Sequence, residues 1–241
     1  MPNKRIRGKL PEWQRYAIAL AVCAAVVAIS STTSSAVEVL LRNDTLPVGG
    51  ANNPLLSFVP GEQTASWLTA PGAGSIVGVQ VQWGSLFGGN PTTQERFINI
   101  YAGGTFPTPG PLLGQIPNPM LVDGSNNEFR HLDPPTNSVP INFPIAAGQS
   151  VVVALEYLNN NSGGGPFVSG VEFDTDGNIQ PNKNAVFAVP GGWIDAIPAG
   201  VLGDFGIRAI FQPVPEPASG LVLVVGLLGI CATVRRSSCK R

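Results

Sequence analysis

A short acidic run is the densest group of candidate metal ligands in the sequence. Glu172, Asp174 and Asp176 alternate with other residues, and a Gly-Asn pair follows them. Oxygen ligands at alternate positions before a glycine turn are typical of the opening of a calcium-binding loop. The twelfth position counted from Glu172 is Lys183, whereas a complete loop of that kind has a glutamate there. We therefore predict a looser calcium site, and the alternative is a β-hairpin with Asp176-Gly177 at its tip.

Tryptophan side chains are candidates for stacking against sugar rings. Trp83 follows an alternating apolar pattern, which predicts that it is buried in the core. Trp193 follows a Pro-Gly-Gly turn, so we expect it near a loop, where an aromatic face is available to a ligand. Trp67 is the third tryptophan between residues 37 and 212.

Groups that suit an active site are few. His131 is the one histidine of the chain, and a single imidazole without cysteine partners does not make a zinc site. No G-x-S-x-G nucleophile turn is present. A glycosidase needs two carboxyl groups about 5–10 Å apart, and the spacing of the glutamates does not select a pair. We therefore predict no enzymatic activity; the alternative is a secreted glycan hydrolase or lyase that uses two of Glu95, Glu128, Glu156 and Glu172.

The elements that must position these side chains are short strands. Charged residues make up 12% of the 241-residue chain, about half the usual share, which argues against a nucleic-acid-binding protein. With 29 glycines and 23 prolines, long helices are disfavoured and short strands joined by turns are favoured. We predict an all-β fold, an antiparallel β-sandwich of the jelly-roll type.

Individual strands follow from alternation and apolar runs. In residues 76–83, Gln80 and Gln82 are expected to face away from the core side chains. Residues 96–101 are predicted to pair with this strand through the loop 88–91, and residues 150–158 are predicted to form a central strand. A proline-rich segment, 103–119, is predicted to be a rigid connection between sheets. Further strands are predicted at 37–41, 66–69, 128–132, 139–143, 167–173, 184–189 and 205–211.

The distribution of charge divides the chain into three parts. Residues 1–36 carry a net charge of +4, residues 37–212 carry thirteen acidic and five basic side chains, and residues 213–241 carry a net charge of +3. An acidic middle between two basic ends is typical of an exported domain with signals at both termini. We predict a β-sandwich ectodomain over residues 37–212.

The N-terminal part has the layout of a secretory signal peptide. Basic residues precede an uncharged apolar run, 16–29, and a small polar stretch follows, which ends at Ala36. The apolar run is shorter than the roughly 20 residues of a membrane span. We predict cleavage by signal peptidase after Ala36; the alternative is an uncleaved signal anchor.

The C-terminal part has the pattern of a membrane span. Residues 218–234 contain no charge, and Arg235 and Arg236 follow directly. As a helix these residues measure roughly 26 Å, enough for a thin bilayer, and a basic cluster stays on the cytoplasmic side. Directly before the span, Pro215, Glu216 and Pro217 form an extended segment that suits a protease groove.

This tail resembles the PEP-CTERM sorting signal of bacterial exported proteins. The resemblance covers about 28 residues: the Pro-Glu-Pro motif, the apolar span with Gly-Leu-Leu-Gly, and the arginine cluster. It implies recognition of Pro215, Glu216 and Pro217 by a membrane protease of the exosortase type. It also implies transfer or release of the ectodomain at the surface of bacteria that often make an exopolysaccharide matrix.

Cysteine usage agrees with this topology. Cys23, Cys231 and Cys239 all lie in the terminal parts, so the predicted ectodomain has no disulfide framework and no thiolate metal site. Together these features predict an exported, membrane-anchored precursor that becomes a cell-surface or extracellular-matrix protein. Its ectodomain is expected to be adhesive or structural, and a carbohydrate-binding module is the sharper form of this prediction. No cofactor is expected other than the calcium at Glu172, Asp174 and Asp176.

Overall fold

Strands and turns account for nearly all the regular structure. The computed structural model describes residues 37–47, 53–89, 91–163 and 168–214. In this part of the chain there is one 3₁₀ helix, Leu86–Gly88, and no α-helix. The strands are β1 (Val39–Leu41), β2 (Gln63–Thr69), β3 (Gly74–Ser85), β4 (Thr92–Gln94), β5 (Phe97–Ala102), β6 (Gly104–Thr105), β7 (Thr108–Pro109), β8 (Leu112–Pro117), β9 (Met120–Val122), β10 (Ser125–Phe129), β11 (Phe143–Ile145), β12 (Ser150–Glu156), β13 (Ser169–Val171), β14 (Asn184–Ala188), β15 (Gly192–Asp195) and β16 (Ile207–Pro213).

The first sheet is built around β3, the longest strand. On one edge β3 pairs with β16 and then with β13, and on the other edge it pairs with β11 and β10. Strand β1 adds to the outer side of β16. All these pairings are antiparallel, and the length of β3 explains how one strand serves four neighbours.

The second sheet has the strand order β15-β14-β2-β12-β5-β8, again antiparallel throughout. Strand β12 lies between β2 and β5, and its valine-rich sequence is buried along most of its length. Two small two-stranded sheets, β4-β9 and β6-β7, accompany the large ones. The prediction of a central strand at 150–158 is confirmed.

One hydrophobic core joins the inward faces of the two sheets. Val79, Val81 and Trp83 of the first sheet belong to the same buried cluster as Val153 and Leu155 of the second. Alternation along each strand puts every second side chain into this core. The all-β, antiparallel, sandwich-like prediction is therefore confirmed, as is the burial of Trp83.

Strand pairing corrects two predictions. Residues 96–101 do not pair with β3, because β5 lies in the second sheet between β12 and β8. The segment 103–119 is not a plain connection between sheets, because it contains the β6-β7 hairpin and the edge strand β8. Local patterns predict a strand, but its partner depends on contacts that are distant in sequence.

The predicted sorting elements lie outside the described residues. These are the signal peptide of residues 1–36, the motif Pro215, Glu216 and Pro217, the span 218–234, and Arg235 and Arg236. Among the residues that the structure describes, none of the helices has the length and apolar character needed to cross a membrane.

Candidate functional site

The outward face of the second sheet begins with the alternation of β2. Leu68 belongs to the shared core, so Gln63, Ala65 and Trp67 point to the opposite side of the sheet. Strand register then defines this face, because directly paired residues lie on the same side. Trp67 pairs with Val152, and Gln63 pairs with Glu156.

Three alanines form the floor of this face. Ala185 of β14 pairs with Ala65 of β2, which pairs with Ala154 of β12, so the three form a row across adjacent strands. All three are fully buried although they point away from the main core. Small side chains here leave room for large rings, and a second hydrophobic cluster forms above them.

Aromatic rings cover the alanine row. Trp193 has edge contacts with Trp67 and Tyr101, at ring-centroid distances of 6.3 and 6.4 Å, and it is tilted against Phe187 at 5.4 Å. Phe106 contacts Trp67 from the β6-β7 hairpin at 5.1 Å. Edge-to-face packing of this kind is favourable for aromatic quadrupoles. We call Trp67, Tyr101, Phe106, Phe187 and Trp193 the aromatic cluster.

The two tryptophans of the cluster differ in exposure. Trp67 is 4% exposed, and its indole N–H has no acceptor among the described residues. Trp193 is half-buried, as are Tyr101, Phe106 and Phe187, so part of each of these rings is in contact with solvent. Trp193 was predicted near a loop, and it lies on β15 with its ring at the centre of the cluster.

A row of amide side chains adjoins the aromatic cluster. Asn99 donates to Gln63 Oε1 and to Glu156 Oε2, both at 3.3 Å, and Gln115 donates to Asn99 Oδ1 at 2.7 Å. Tyr101 links the row to the aromatic rings through a 3.4 Å hydrogen bond to Gln63. We call Gln63, Asn99, Gln115 and Glu156 the amide row.

Burial and charge both act on Tyr101, which links the aromatic rings to the amide row. Burial raises the pKa of Tyr101, and the negative charge of Glu156 raises it further, so the phenol stays a hydrogen-bond donor. Glu156 forms an ion pair with Arg96 at 3.2 Å, and the Arg96 guanidinium lies 5.7 Å from the Phe97 ring centroid. Lys183 donates to Thr69 Oγ1 at 3.0 Å.

This arrangement combines two kinds of contact on one surface. Partly exposed aromatic rings offer flat apolar area. Gln63 and Asn99 are buried, so the polar groups of the row that a ligand can reach are those of Gln115 and Glu156, which the buried amides hold in fixed positions. A ligand that suits both has an apolar face and many hydroxyl groups, which is the chemistry of a sugar ring. Ligand sites in general combine apolar lining with a few placed polar groups.

The three predicted calcium ligands are not equivalent in the structure. The Thr45 hydroxyl lies 3.1 Å from both Asp174 Oδ2 and Asp176 Oδ2, so these two carboxylates share one neighbour. Glu172 is fully buried, and its carboxylate lies against Gly84, where an added Cβ would be 2.6 Å from Glu172 Oε1. In the described ranges no three acidic, histidine or cysteine side chains are grouped so as to hold a metal ion.

Asp204 is a further acidic residue of this region that sequence patterns did not indicate. Asp174 Oδ1 accepts the Asp204 backbone N–H at 2.8 Å, and Asp204 Oδ1 accepts the Gln180 backbone N–H at 3.1 Å and an amide hydrogen of Asn184. Burial raises the pKa of Asp204, and the charges of Asp174 and Asp176 add to the rise. The aspartates therefore hold loops together through backbone N–H groups.

The remaining glutamates named as catalytic candidates lie on different parts of the fold. Glu128 is on β10 of the first sheet and contacts Arg130 and Gln80, whereas Glu156 is on the second sheet. Glu95 lines a polar cleft of about 510 Å³, and Leu158 donates its backbone N–H to Glu95 Oε2 at 2.6 Å. Burial raises the pKa of Glu95.

His131 lies in the connection between β10 and β11. It forms an isolated antiparallel bridge with Pro140 between β10 and β11, and it is half-buried. None of the hydrogen bonds of the described residues connects its imidazole to a serine or carboxylate. The geometry thus gives it no nucleophile to activate.

Sequence reasoning named Trp67 and Trp193 but missed the other members of the face. The alternation Gln-x-Ala-x-Trp over residues 63–67 could have indicated that Gln63 and Trp67 share a face. The predicted strand began at residue 66 and therefore left out Gln63, where β2 begins. Phe106 and Gln115 lie in the segment taken for a connection. Comparison of the chain with models of known protein families finds no match, and a search of curated protein sequences likewise finds no similar protein.

Proposed function

We propose that the protein is an exported, non-catalytic bacterial surface or extracellular-matrix protein whose β-sandwich domain binds carbohydrate. The observation that carries the binding proposal is the junction of the partly exposed ring of Trp193 with Gln115 and Glu156, the accessible members of the amide row, on one sheet face. Both groups lie on a rigid sheet, which holds the contacts in place before a ligand arrives.

Export and sorting follow from the terminal segments. We propose that signal peptidase removes residues 1–36 and that residues 218–234 hold the precursor in the membrane, with the ectodomain outside the cytoplasm. An exosortase-type membrane protease then recognises Pro215, Glu216 and Pro217. The processed protein acts at the cell surface or in the extracellular matrix, where an exopolysaccharide is its natural class of partner.

A non-catalytic role is supported by the surroundings of Glu156, the carboxylate of the amide row. It is held by Arg96 at 3.2 Å and accepts a hydrogen bond from Asn99 at 3.3 Å, so its oxygens already have partners within the protein. An acid–base pair needs a second carboxyl group across the ligand with a raised pKa. The alternative, a glycan hydrolase or lyase, would be recognised by product formation on the same glycans.

The binding proposal is tested with the full-length chain purified in detergent and a glycan array. Trp193→Ala is expected to lower the affinity for the bound glycan at least tenfold, because it removes the central half-exposed ring. Phe87→Ala is the matched control, since Phe87 is 83% exposed but lies outside the aromatic cluster. Equal binding by wild type and Trp193→Ala, or no binding by wild type, would contradict the proposal.

The sorting proposal is tested in a host with an active exosortase. Glu216→Ala is expected to leave export intact and to leave an uncleaved, membrane-bound form, because the span and its flanking charges are unchanged. Replacing Arg235 and Arg236 by serine is expected instead to disturb membrane retention or orientation. Glu38→Ala is the control for loss of an acidic residue elsewhere. The processed protein is identified by mass spectrometry. If wild-type protein from this host still contains residues 218–241, the proposal is contradicted.

A further inference from the structure

A cation without an acidic partner borders the aromatic cluster. Lys183 Nζ donates to Thr69 Oγ1 at 3.0 Å at the protein surface, and no carboxylate of the described residues forms an ion pair with it. Residues 37–212 carry thirteen acidic and five basic side chains. Three of the basic ones are arginines that are held by acids, namely Arg96, Arg130 and Arg208. Lys183 therefore keeps its charge without a counter-charge in an acidic domain.

Strand register places this cation next to the aromatic cluster. Lys183 O accepts the Trp67 backbone N–H at 2.8 Å. Thr69 follows Trp67 by two residues on β2, so both side chains lie on the outward face, about 6.6 Å apart along the strand. Ser150 pairs with Thr69 on the neighbouring strand, and their hydroxyl oxygens are 3.2 Å apart. An ammonium group and two hydroxyl groups therefore adjoin the rings on one surface.

A second basic residue lies close to Lys183. Asn43 Nδ2 donates to Trp67 O at 3.1 Å, so Asn43 and Lys183 both contact the backbone of Trp67. Arg42, the residue before Asn43, is exposed and forms no ion pair with an acid of the described residues. The two basic residues that lack a counter-charge are thus near each other beside the aromatic cluster.

The donors of this polar group suit an anion. An ammonium has three N–H donors, and Thr69 accepts one of those of Lys183, so two remain for the oxygen atoms of a ligand. The hydroxyl groups of Thr69 and Ser150 offer further hydrogen bonds beside it. A charge-assisted hydrogen bond to a carboxylate or sulfate is roughly twice as strong as a bond between neutral groups. The group therefore favours a sugar that carries a negative charge.

The acidic side chains of this face have partners of their own. Glu156 is paired with Arg96 at 3.2 Å, and Asp195 Oδ1 accepts the Ile197 backbone N–H at 3.1 Å. The other acids of the domain repel a polyanion at long range, and physiological salt screens this repulsion beyond roughly 8 Å. The contacts within that distance, which include those to Lys183, then govern which glycan is bound.

We infer that this face takes an acidic polysaccharide, whose anionic group meets Lys183 while a neighbouring sugar ring stacks on Trp193. This inference rests on the proposed carbohydrate-binding function and adds the class of glycan. Carboxylate and sulfate groups share the chemistry that an ammonium recognises. The test distinguishes these two groups.

The test compares polymers in pairs that differ in charge. Polygalacturonate is compared with its methyl ester, and dextran sulfate is compared with dextran. Each polymer is immobilised, and binding of the full-length chain in detergent is measured by biolayer interferometry at physiological salt. We expect the affinity for at least one charged polymer to exceed that for its neutral counterpart at least tenfold. The pair that shows this difference identifies the carboxylate or the sulfate as the group bound.

Variants assign the binding to this face. Lys183→Ala is expected to lower the affinity for the charged polymer five- to tenfold, and Lys183→Arg is expected to retain it within twofold because the charge is kept. Arg130→Ala is the matched control, since it removes one positive charge beside the first sheet, and we expect a change of less than twofold. All these proteins keep the basic residues of 1–36 and 213–241, so binding through the ends of the chain is constant. Circular dichroism checks that each variant is folded.

The outcomes separate the inference from the function on which it rests. Equal affinity for charged and neutral polymers, reduced in Trp193→Ala, would overturn the acidic class and leave carbohydrate binding in place. Binding of a charged polymer that Lys183→Ala leaves unchanged would overturn the role of Lys183 and assign the contact to the basic ends of the chain. No binding to these polymers, with binding retained on the glycan array, would overturn the inference alone. No binding in either assay would overturn both.

Discussion

The outward faces of the two sheets share an alternating pattern of polar residues but differ in what lies over those residues. On the first sheet, Gln80, Gln82 and Arg208 alternate with core residues, as Gln63 and Asn99 do on the second. The first face is covered by a segment of the chain itself, residues 43–47. The second face carries the aromatic cluster, in which every ring except that of Trp67 is partly exposed.

A buried ion pair attaches the covering segment to the first sheet. Arg208 Nε donates to Asp44 Oδ2 at 2.9 Å, and Arg208 Nη2 also donates to Leu46 O and Gln82 Oε1. The side chains of Arg208 and Asp44 are 3% and 0% exposed. Gln82 completes the attachment by donating to Pro47 O at 2.7 Å. On the first face, the polar side chains of Arg208 and Gln82 are therefore hydrogen-bonded to the covering segment.

On the second face the polar side chains form a row that remains next to partly exposed rings. Asn99 is buried and bonds to Gln115 and Glu156, both of which are partly exposed. The comparison teaches that outward alternation alone does not mark a binding surface. The two faces differ in what lies beside their polar groups, which is the chain segment 43–47 on the first face and partly exposed aromatic rings on the second.

Breaking the ion pair should have the largest effect on stability. Asp44→Ala leaves the Arg208 guanidinium buried without its carboxylate, which costs about 3–5 kcal/mol. Urea unfolding followed by tryptophan fluorescence measures the change. Glu38→Ala is the matched control, because Glu38 pairs with Arg130 at the surface and its loss costs about 0–1 kcal/mol. Similar losses for both variants would mean that the segment does not depend on the pair.

Removing rings from the second face should separate stability from binding. Trp67→Ala deletes a nearly buried ring and is expected to cost about 3 kcal/mol. Trp193→Ala deletes a partly exposed ring and is expected to cost about 1 kcal/mol while it lowers the affinity for the glycan at least tenfold. Thermal melts and glycan binding are measured on the same samples. A larger loss of stability in Trp193→Ala than in Trp67→Ala would reverse the assigned roles.

Calcium binding would stabilise the region around Asp174, which contacts the covering segment 43–47 through Thr45. If calcium binds at Glu172, Asp174 and Asp176, the free energy of unfolding rises by about 2.7 kcal/mol at a hundredfold excess over Kd. Melting curves in calcium and in chelator measure this, with Asp133→Asn as a control for an acidic residue elsewhere. No shift at millimolar calcium would leave Asp174 and Asp176 with their bonds to Thr45 as their role.

The smallest effect concerns the pH dependence of the same region. The pKa of Asp204 in the folded protein is raised above its ordinary value of 3.8, so protonation of Asp204 favours the folded state. This contribution to the free energy of unfolding is present below pH 3.8 and is lost as the pH rises through the folded-state pKa. Asp176→Asn removes one of the negative charges that raise it. We expect NMR titration to give a lower pKa for Asp204 in that variant, and an unchanged value would contradict the assigned cause.

Local patterns predicted those features of the fold that depend on neighbours in sequence. The alternation of Val79, Val81 and Trp83 correctly predicted a strand with one buried face, because alternation is a property of a single strand. The partner of residues 96–101 was predicted wrongly, since strand pairing depends on closing long loops. Gln82 was expected on an outward face, and its full burial comes from Pro47, 35 positions away in the chain.

In the candidate site, too, local sequence indicated single residues, whereas their contacts depend on the tertiary structure. Trp193 was recognised from a turn and a residue type, but its contacts with Tyr101 and Phe106 join strands that are far apart in sequence. The amide row has no sequence signature, because Gln63, Asn99 and Gln115 become neighbours only through the register of β2, β12, β5 and β8.

By itself, the sequence determined the β-rich character of the domain, the absence of cysteine from it and the alternation that divides its strands into two faces. These are properties of composition and of side-chain geometry within a strand. Only the tertiary structure decided which outward face is covered by residues 43–47 and which carries partly exposed aromatic rings such as that of Trp193. The physical reason is that covering a polar face requires long-range contacts, such as the one between Asp44 and Arg208, that no local pattern encodes.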